Sequence, residues 1–164
     1  MRGLTTLIIS LLAPLPAVAG TVPKFSDYAV AEVFSGKRAT VDLDSAPGAR
    51  MFRTRLREAA AKSPNFAGYF VVASWGCGTG CQDFAVIDLR SGRVTFGPVT
   101  CAVGQDFRLN SRLLVVDPPN ELLSAIEGGS GCGSSIPKTS SQYFEWDGTR
   151  FLPVGEFDVC REEP

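Results

Sequence analysis

The segment Trp75-Gly76-Cys77-Gly78-Thr79-Gly80-Cys81 constrains this chain most strongly, because it places two cysteines close together among glycines. Glycine allows the backbone to turn tightly, as a bridge between two nearby cysteines requires. The chain contains no histidine, so a metal site at this pair would lack the commonest metal ligand. Three residues separate Cys77 from Cys81, one more than in a thioredoxin-type redox motif. The segment therefore predicts a disulfide-braced fold, with redox chemistry as the alternative.

Residues 1–19 have the pattern of an export signal. Arg2 supplies a positive charge, an apolar run follows, and Ala17 and Ala19 are the small residues of a cleavage site. The apolar run is shorter than the roughly 20 residues that span a bilayer. The pattern predicts cleavage near Ala19, a periplasmic or secreted product with no stable membrane insertion, and a single domain at 20–164. In an oxidising compartment, paired cysteines are expected to form disulfides.

The overall charge argues against nucleic acid as a partner. Lys plus Arg number 16 and Asp plus Glu number 17, which gives a net charge of −1, whereas polyanion-binding proteins carry a basic excess. Four arginines lie together in one segment: Arg50, Arg53, Arg55 and Arg57. They could form an anion-binding stripe, but the near-neutral total favours a solvated helix face.

One helix is predicted at 48–62. Apolar residues recur there at the spacing of a single helix face: Phe52, Leu56, Ala59 and Ala60. Ser45 and Pro47 precede this run as expected of a cap and a first turn, and Pro64 requires the helix to end before it.

The remainder of the chain is rich in β-branched and aromatic residues and predicts strands joined by short turns. The predicted strands lie at 28–34, 39–43, 65–75, 84–89, 93–96, 107–109, 112–116, 142–146 and 149–152. Asp147-Gly148 predicts a type I′ turn in the last hairpin, and an irregular, glycine-rich stretch is expected from 117 to 141. This pattern predicts an α+β fold: one amphipathic helix packed on a mainly antiparallel β-meander, disulfide-braced. A small propeller is the less favoured alternative.

Five cysteines allow two bridges and one remaining thiol. The favoured disulfide candidates lie in loops at strand ends: Cys77, Cys81, Cys101 and Cys132. Cys160 lies near the end of the chain and is expected to be the remaining thiol. The connectivity stays open, because spacing alone does not select it.

No catalytic residue, metal ligand or cofactor is assigned from the sequence. Carboxylates that could act in acid-base chemistry occur at strand ends or in loops: Asp83, Asp106 and Glu145. No Gly-x-Ser-x-Gly elbow is present. The candidate binding residues lie in and around the strand that enters the cysteine segment: Asn65, Tyr69, Trp75 and Asp83. Aromatic residues on a strand more often belong to the core than to a contact surface.

Several of these motifs occur together in a pattern that resembles a family of uncharacterised exported bacterial proteins. They are the segments at 52–59, Pro-Asn-Phe-Ala-Gly-Tyr at 64–69, Trp-Gly-Cys-Gly-Thr-Gly-Cys at 75–81, 111–115 and the closing Tyr-Phe-x-Trp-Asp-Gly hairpin. The resemblance covers most of residues 25–155. It implies export and a shared fold, and it implies no reaction.

These observations favour a secreted or periplasmic, disulfide-stabilised binding module rather than an enzyme. Its expected partner is another envelope or extracellular protein, and by analogy a disulfide-tethered loop could insert into that partner as an inhibitor does. Two alternatives remain: an extracytoplasmic enzyme that uses carboxylates or a thiol near the 75–83 loop, and a structural component of the envelope.

Overall fold

The computed structural model describes residues 21–129 and 139–160. Two α-helices and seven strands occur in these residues, preceded by 3-10 turns at Phe25–Tyr28 and Ala49–Phe52. The helices are α1 (Arg53–Ala60) and α2 (Pro119–Gly129). The strands are β1 (Phe70–Gly78), β2 (Cys81–Asp88), β3 (Val94–Phe96), β4 (Gln105–Phe107), β5 (Leu113–Val116), β6 (Ser140–Trp146) and β7 (Phe151–Asp158).

The strands form two antiparallel sheets in which neighbours follow chain order. One sheet has the order β1-β2-β3 and the other the order β4-β5-β6-β7. Short connections between consecutive antiparallel strands produce this meander arrangement. The predicted α+β class is confirmed, as are the predicted hairpins at 84–96 and 142–152. The strand predicted at 107–109 lies instead at Gln105–Phe107, because the chain already turns at 108–111, and it pairs with 114–116 of the predicted strand 112–116. None of the helices in the described ranges is long and apolar enough to cross a membrane.

The first sheet is buried on both faces, which explains its continuous apolar run. Successive side chains of a strand point to opposite faces. Phe70 and Val72 of β1 therefore join the core between the two sheets, with Trp146 and Val116 of the second sheet. Their neighbours on β1 pack instead against α1, in a second core: Val71 and Ala73. A strand covered on both sides reads as uniformly hydrophobic rather than alternating.

Helix α1 covers the outer face of the first sheet. Its buried residues are Leu56, Ala59 and Ala60, as the predicted helix face requires. The helical segment begins with the 3-10 turn at Ala49–Phe52. Ser45 is not its cap: the Ser45 hydroxyl donates to the carbonyl of Asp42 and accepts from the N–H of Val94 at 2.9 Å. The hydroxyl ties the preceding loop to β3.

Helix α2 replaces the first part of the predicted irregular stretch, so that prediction is wrong over 119–129. Pro119 occupies the start of the helix, where its missing N–H costs nothing. Leu122 and Ile126 follow at a spacing of four and are both buried. The glycine-rich residues 130–138 lie outside the described residues.

The two strands predicted at 28–34 and 39–43 are also wrong. Tyr28 ends the first 3-10 turn, and the residues that follow it make only isolated bridges, such as Ala29 with Ser111. Its backbone groups bond to loops instead of to a strand ladder: the N–H of Val30 donates to the carbonyl of Asn110, and that of Phe34 to Gly68. The alternating apolar residues of this segment pack along loops and do not form paired strands.

Strand β1 begins at Phe70 and not at residue 65, because a tight turn precedes it. Ala67 and Gly68 both have positive φ, at 44° and 82°, and Phe66 bridges to Phe70. A Cβ atom on Gly68 would lie 2.2 Å from the carbonyl oxygen of Glu32. Only glycine fits at this point of contact between backbone segments.

The loop of the last hairpin is longer than the predicted type I′ turn. Trp146 pairs with Phe151, and Gly148 has a positive φ whereas Asp147 does not, so the I′ requirement of two positive φ values fails. The backbone N–H groups of Arg150 and Thr149 donate to the Asp147 carboxylate. These hydrogen bonds lower the pKa of Asp147 to about 2.

Candidate functional site

Strands β1 and β2 form a long hairpin whose end is closed by a disulfide. Their antiparallel register runs from Phe70 opposite Asp88 to Gly76 opposite Gln82. Beyond that point Cys77 and Cys81 are bonded to each other, with their Cα atoms 5.1 Å apart. Residues 76–80 are exposed. The prediction that these two cysteines form a disulfide is confirmed. The bond lies within one hairpin and constrains the conformation of its exposed end.

Cys101 lies beside this hairpin end: its backbone N–H and carbonyl pair with those of Gln82, the residue after Cys81, in two hydrogen bonds of 2.8 Å. Cys101 is buried, with 1% of its surface exposed, in the core between the sheets. Cys132 lies outside the described residues. Cys160 is disulfide-bonded, so its assignment as the remaining thiol is wrong. Position near the end of the chain was a poor guide, because β7 extends to Asp158, whose carboxylate accepts the Cys160 N–H at 2.9 Å, and Cys160 therefore directly follows the sheet.

Of the four predicted binding residues, the structure brings Trp75 and Asp83 together. They are directly opposite each other in the β1–β2 register, and both line a cavity of about 240 Å³ beside the hairpin. We call this cavity the Asp83 cleft. Its lining residues are Phe52, Trp75, Asp83, Phe84, Phe96, Gly97, Pro98, Val99 and Thr100.

Three aromatic rings from three different elements form one wall of the Asp83 cleft. Phe52, from the turn before α1, stacks on Trp75 of β1 with ring centroids 4.4 Å apart. Phe96 of β3 meets both rings edge-on, at 5.9 Å and 6.1 Å. Each ring thus contacts the other two in a stacked or edge-to-face arrangement, which are the favourable geometries for aromatic pairs. Phe52 and Phe96 were missed as site residues, since their sequence pattern indicates only core positions.

The carboxylate of Asp83 has no hydrogen bond or ion pair among the residues that the structure describes. It is half-buried at the edge of the aromatic wall. A carboxylate in partly apolar surroundings has lost part of its hydration, and a positively charged group would compensate that loss. The cleft therefore combines an apolar wall with one uncompensated negative charge.

A second cavity, of about 290 Å³, is lined by the same stacked Phe52–Trp75 pair. Thr54, Arg55 and Met51 line it, and Met51 is 77% exposed. An exposed methionine and a stacked aromatic pair provide an adaptable apolar surface next to the hairpin end. The two cavities therefore share the stacked Phe52–Trp75 pair beside this end of the hairpin.

Asn65 and Tyr69 lie elsewhere and have structural contacts of their own. The side-chain oxygen of Asn65 accepts the N–H of Val72 at 2.9 Å. The guanidinium carbon of Arg90 lies 3.4 Å from the centroid of the Tyr69 ring. Arg90 also forms an ion pair with Asp88 at 3.1 Å. Asn65 borders a separate, polar cavity, so neither residue contributes to the Asp83 cleft.

The remaining charged candidates do not assemble into a catalytic group with Asp83. Glu145, on β6, forms an ion pair with Arg112, and Asp106 lies on β4, in the other sheet from Asp83. Arg50 of the basic segment is ion-paired with Asp44 at 2.6 Å. Within the described ranges, no group of three or more cysteine or acidic side chains is arranged to hold a metal ion.

Comparisons with known proteins identify no relative: no family model, no curated protein and no solved structure matches this chain.

Proposed function

We propose that this chain is an exported, disulfide-braced binding module that contacts a partner protein through the end of the β1–β2 hairpin and the adjoining Asp83 cleft. The observation that carries the proposal is the joining of an exposed, covalently closed hairpin end, Cys77–Cys81, to an aromatic cleft. Export to the periplasm or medium is supported by the signal pattern of residues 1–19.

The rigidity of the hairpin end favours binding. A loop that is already ordered loses little conformational entropy when it meets its partner. The disulfide closes the loop of residues 77–81, and the paired strands β1 and β2 fix the two ends of that loop. An ordered, exposed loop can insert into a concave surface of a partner protein, as the loops of protein inhibitors do. The module would resemble an inhibitor in this respect.

The composition of the surrounding surface also fits a protein partner. The cores of protein interfaces are enriched in aromatic residues and methionine, and tryptophan is among the residues that contribute most of the binding energy. Trp75, Phe52 and Met51 lie together beside the hairpin end.

Affinity capture with matched surface variants tests this proposal. The exported protein, with its disulfides intact, is immobilised and exposed to extract from the envelope and medium of the host. Thr79→Arg places a long charged side chain at the exposed hairpin end, and Thr40→Arg makes the same change at an exposed site elsewhere. We expect the specifically captured protein to be lost with Thr79→Arg and retained with Thr40→Arg.

The proposal would be overturned if Thr79→Arg and Thr40→Arg captured the partner equally well. That result would place the contact surface away from the hairpin end. Thermal unfolding of each variant establishes that a loss of capture is not a loss of fold.

A further inference from the structure

The β1–β2 hairpin carries an aromatic residue close to a carboxylate at each of its two ends. At one end Tyr69 immediately precedes β1, and Asp88 ends β2. At the other end Trp75 lies directly opposite Asp83. The chain thus repeats the same pair of chemical groups, an electron-rich ring and an acidic side chain, along one hairpin.

The first pair is occupied by an arginine of the chain itself. The guanidinium of Arg90 lies over the Tyr69 ring at 3.4 Å and donates to both Asp88 carboxylate oxygens, at 3.2 and 3.1 Å. A planar guanidinium can stack on a ring and bond to a carboxylate with two N–H groups simultaneously. This end of the hairpin shows the arrangement complete.

The second pair has the ring and the carboxylate but no cation of its own. No positively charged side chain lines the Asp83 cleft, and Asp83 makes no ion pair within the described ranges. Arg55 lines the adjoining cavity, which shares Phe52 and Trp75 with the cleft, and it is absent from the lining of the cleft itself. The position that Arg90 occupies at the first end has no equivalent here.

We propose that the Asp83 cleft receives an arginine side chain of the partner protein, whose guanidinium bonds to Asp83 and packs against the aromatic wall of Trp75 and Phe96. This inference rests on the proposed function, since it specifies what the partner presents. The cleft supplies the apolar and the negatively charged contacts, and the partner supplies the positive charge.

The size of the cleft fits one side chain. Its volume of about 240 Å³ lies below the roughly 300–1,000 Å³ of pockets that enclose whole small molecules. Arginine is also preferred over lysine on chemical grounds, because its planar group matches both the ring and the carboxylate, whereas an ammonium matches only the charge. Arginine is among the residues that dominate binding energy at protein interfaces.

The test uses N-butylguanidinium as a stand-in for the arginine side chain, with n-butanol as its neutral counterpart and tetramethylammonium as a compact cation. Binding at constant ionic strength is followed by the indole N–H resonance of Trp75. The only other tryptophan is the buried Trp146, and Trp146→Phe assigns the two signals. We expect saturable shifts with N-butylguanidinium, and none with n-butanol.

Two matched variants test the role of the carboxylate. Asp83→Asn is expected to weaken N-butylguanidinium binding by about tenfold or more, since it removes a charge-assisted hydrogen bond. Glu156→Gln removes one negative charge from an exposed position on β7 and is expected to leave binding unchanged. Both proteins are expected to retain the wild-type spectrum away from the substituted residue.

Three results would overturn the inference. They are the absence of a saturable shift with N-butylguanidinium, equal weakening of its binding by both variants, and a protein that binds tetramethylammonium but does not bind N-butylguanidinium. The last would indicate a compact quaternary amine as the ligand. These failures are distinguishable from failure of the proposed function, because capture of a partner that depends on Thr79 would persist if only the arginine inference were wrong.

Discussion

The two halves of the β1–β2 hairpin are stabilised by different forces. In the inner half, residues such as Val71 and Ile87 are completely buried between the first sheet and α1. In the outer half, residues 76–80 are exposed, and the strands are joined by the Cys77–Cys81 bond. The inner half is thus held by burial of apolar surface, and the outer half by a covalent link.

This difference is consistent with the proposed contact surface at the outer end. A loop that must meet a partner cannot be buried in its own core, so hydrophobic burial cannot order it. The short disulfide orders the loop while leaving it exposed. The charged groups follow the same division: Asp88 at the inner end is paired within the chain, whereas Asp83 at the outer end has no internal partner among the described residues.

The largest effect is expected from a cavity in the inner half. Ile87→Ala removes a side chain with 0% exposure and should reduce the free energy of unfolding by about 2–5 kcal/mol, while Ile87→Val should cost about 1 kcal/mol. Chemical denaturation measures both changes. If Ile87→Ala costs less than removal of the disulfide, burial does not dominate the inner half.

Removal of the disulfide should have an intermediate and local effect. For the short loop closed by residues 77–81, Cys77→Ser with Cys81→Ser should destabilise the protein by about 2 kcal/mol, because the unfolded chain regains conformational freedom. Hydrogen exchange should accelerate at 76–82 and change little at 84–88. Uniform acceleration over both halves would show that the bond supports the whole hairpin.

The inner charge pair should contribute less, and its contribution should depend on pH. Burial raises the pKa of Asp88, but the hydrogen bonds and charge of Arg90 outweigh burial and hold that pKa below its usual value of 3.8. Because the folded-state pKa is lowered, the stabilisation is present above 3.8 and is lost as the pH falls through the folded-state value.

Arg90→Gln should therefore destabilise the protein by about 1 kcal/mol at neutral pH, since Arg90 is half exposed and its ion pair is partly screened. The difference from wild type should shrink below pH 3.8. Urea denaturation at a series of pH values measures it. A difference that is constant with pH would assign the effect of Arg90 to its packing on Tyr69 alone.

The smallest effect is expected at the outer carboxylate. Asp83→Asn should change the free energy of unfolding by no more than about 0.5 kcal/mol, because it removes no hydrogen bond or ion pair within the described residues. Thermal unfolding alongside Asp88→Asn provides the comparison. A loss at Asp83 equal to that at Asp88 would mean that Asp83 serves the fold rather than a partner.

Local sequence patterns predicted much of this fold. The helix face of Leu56, Ala59 and Ala60 and the strand pairs around 84–96 and 142–152 follow from spacing and turn residues. The patterns failed at α2, where two buried apolar residues were too few to indicate a helix, and at 28–43, where loop packing replaced strand pairing. In both places the decisive contacts are made with residues distant in the chain.

The candidate site was predictable in part. Trp75 and Asp83 flank the cysteine pair closely enough that a hairpin closed by Cys77–Cys81 must bring them near each other. Phe52 and Phe96 could not be assigned to the same cleft, because they come from a helical turn and from β3. Tyr69 and Asn65 were candidates by proximity in sequence, yet the fold uses them for other contacts.

By itself the sequence determined the short-range features: the antiparallel hairpins, the amphipathic helix and the closeness of Cys77 to Cys81. Spacing, turn chemistry and side-chain periodicity act over a few residues and can be read directly. The tertiary structure alone decided that Phe52 stacks on Trp75 and that Phe96 meets both rings. Those contacts depend on how helix α1 and strand β3 pack against the hairpin, and packing is a property of the assembled layers, not of any one segment.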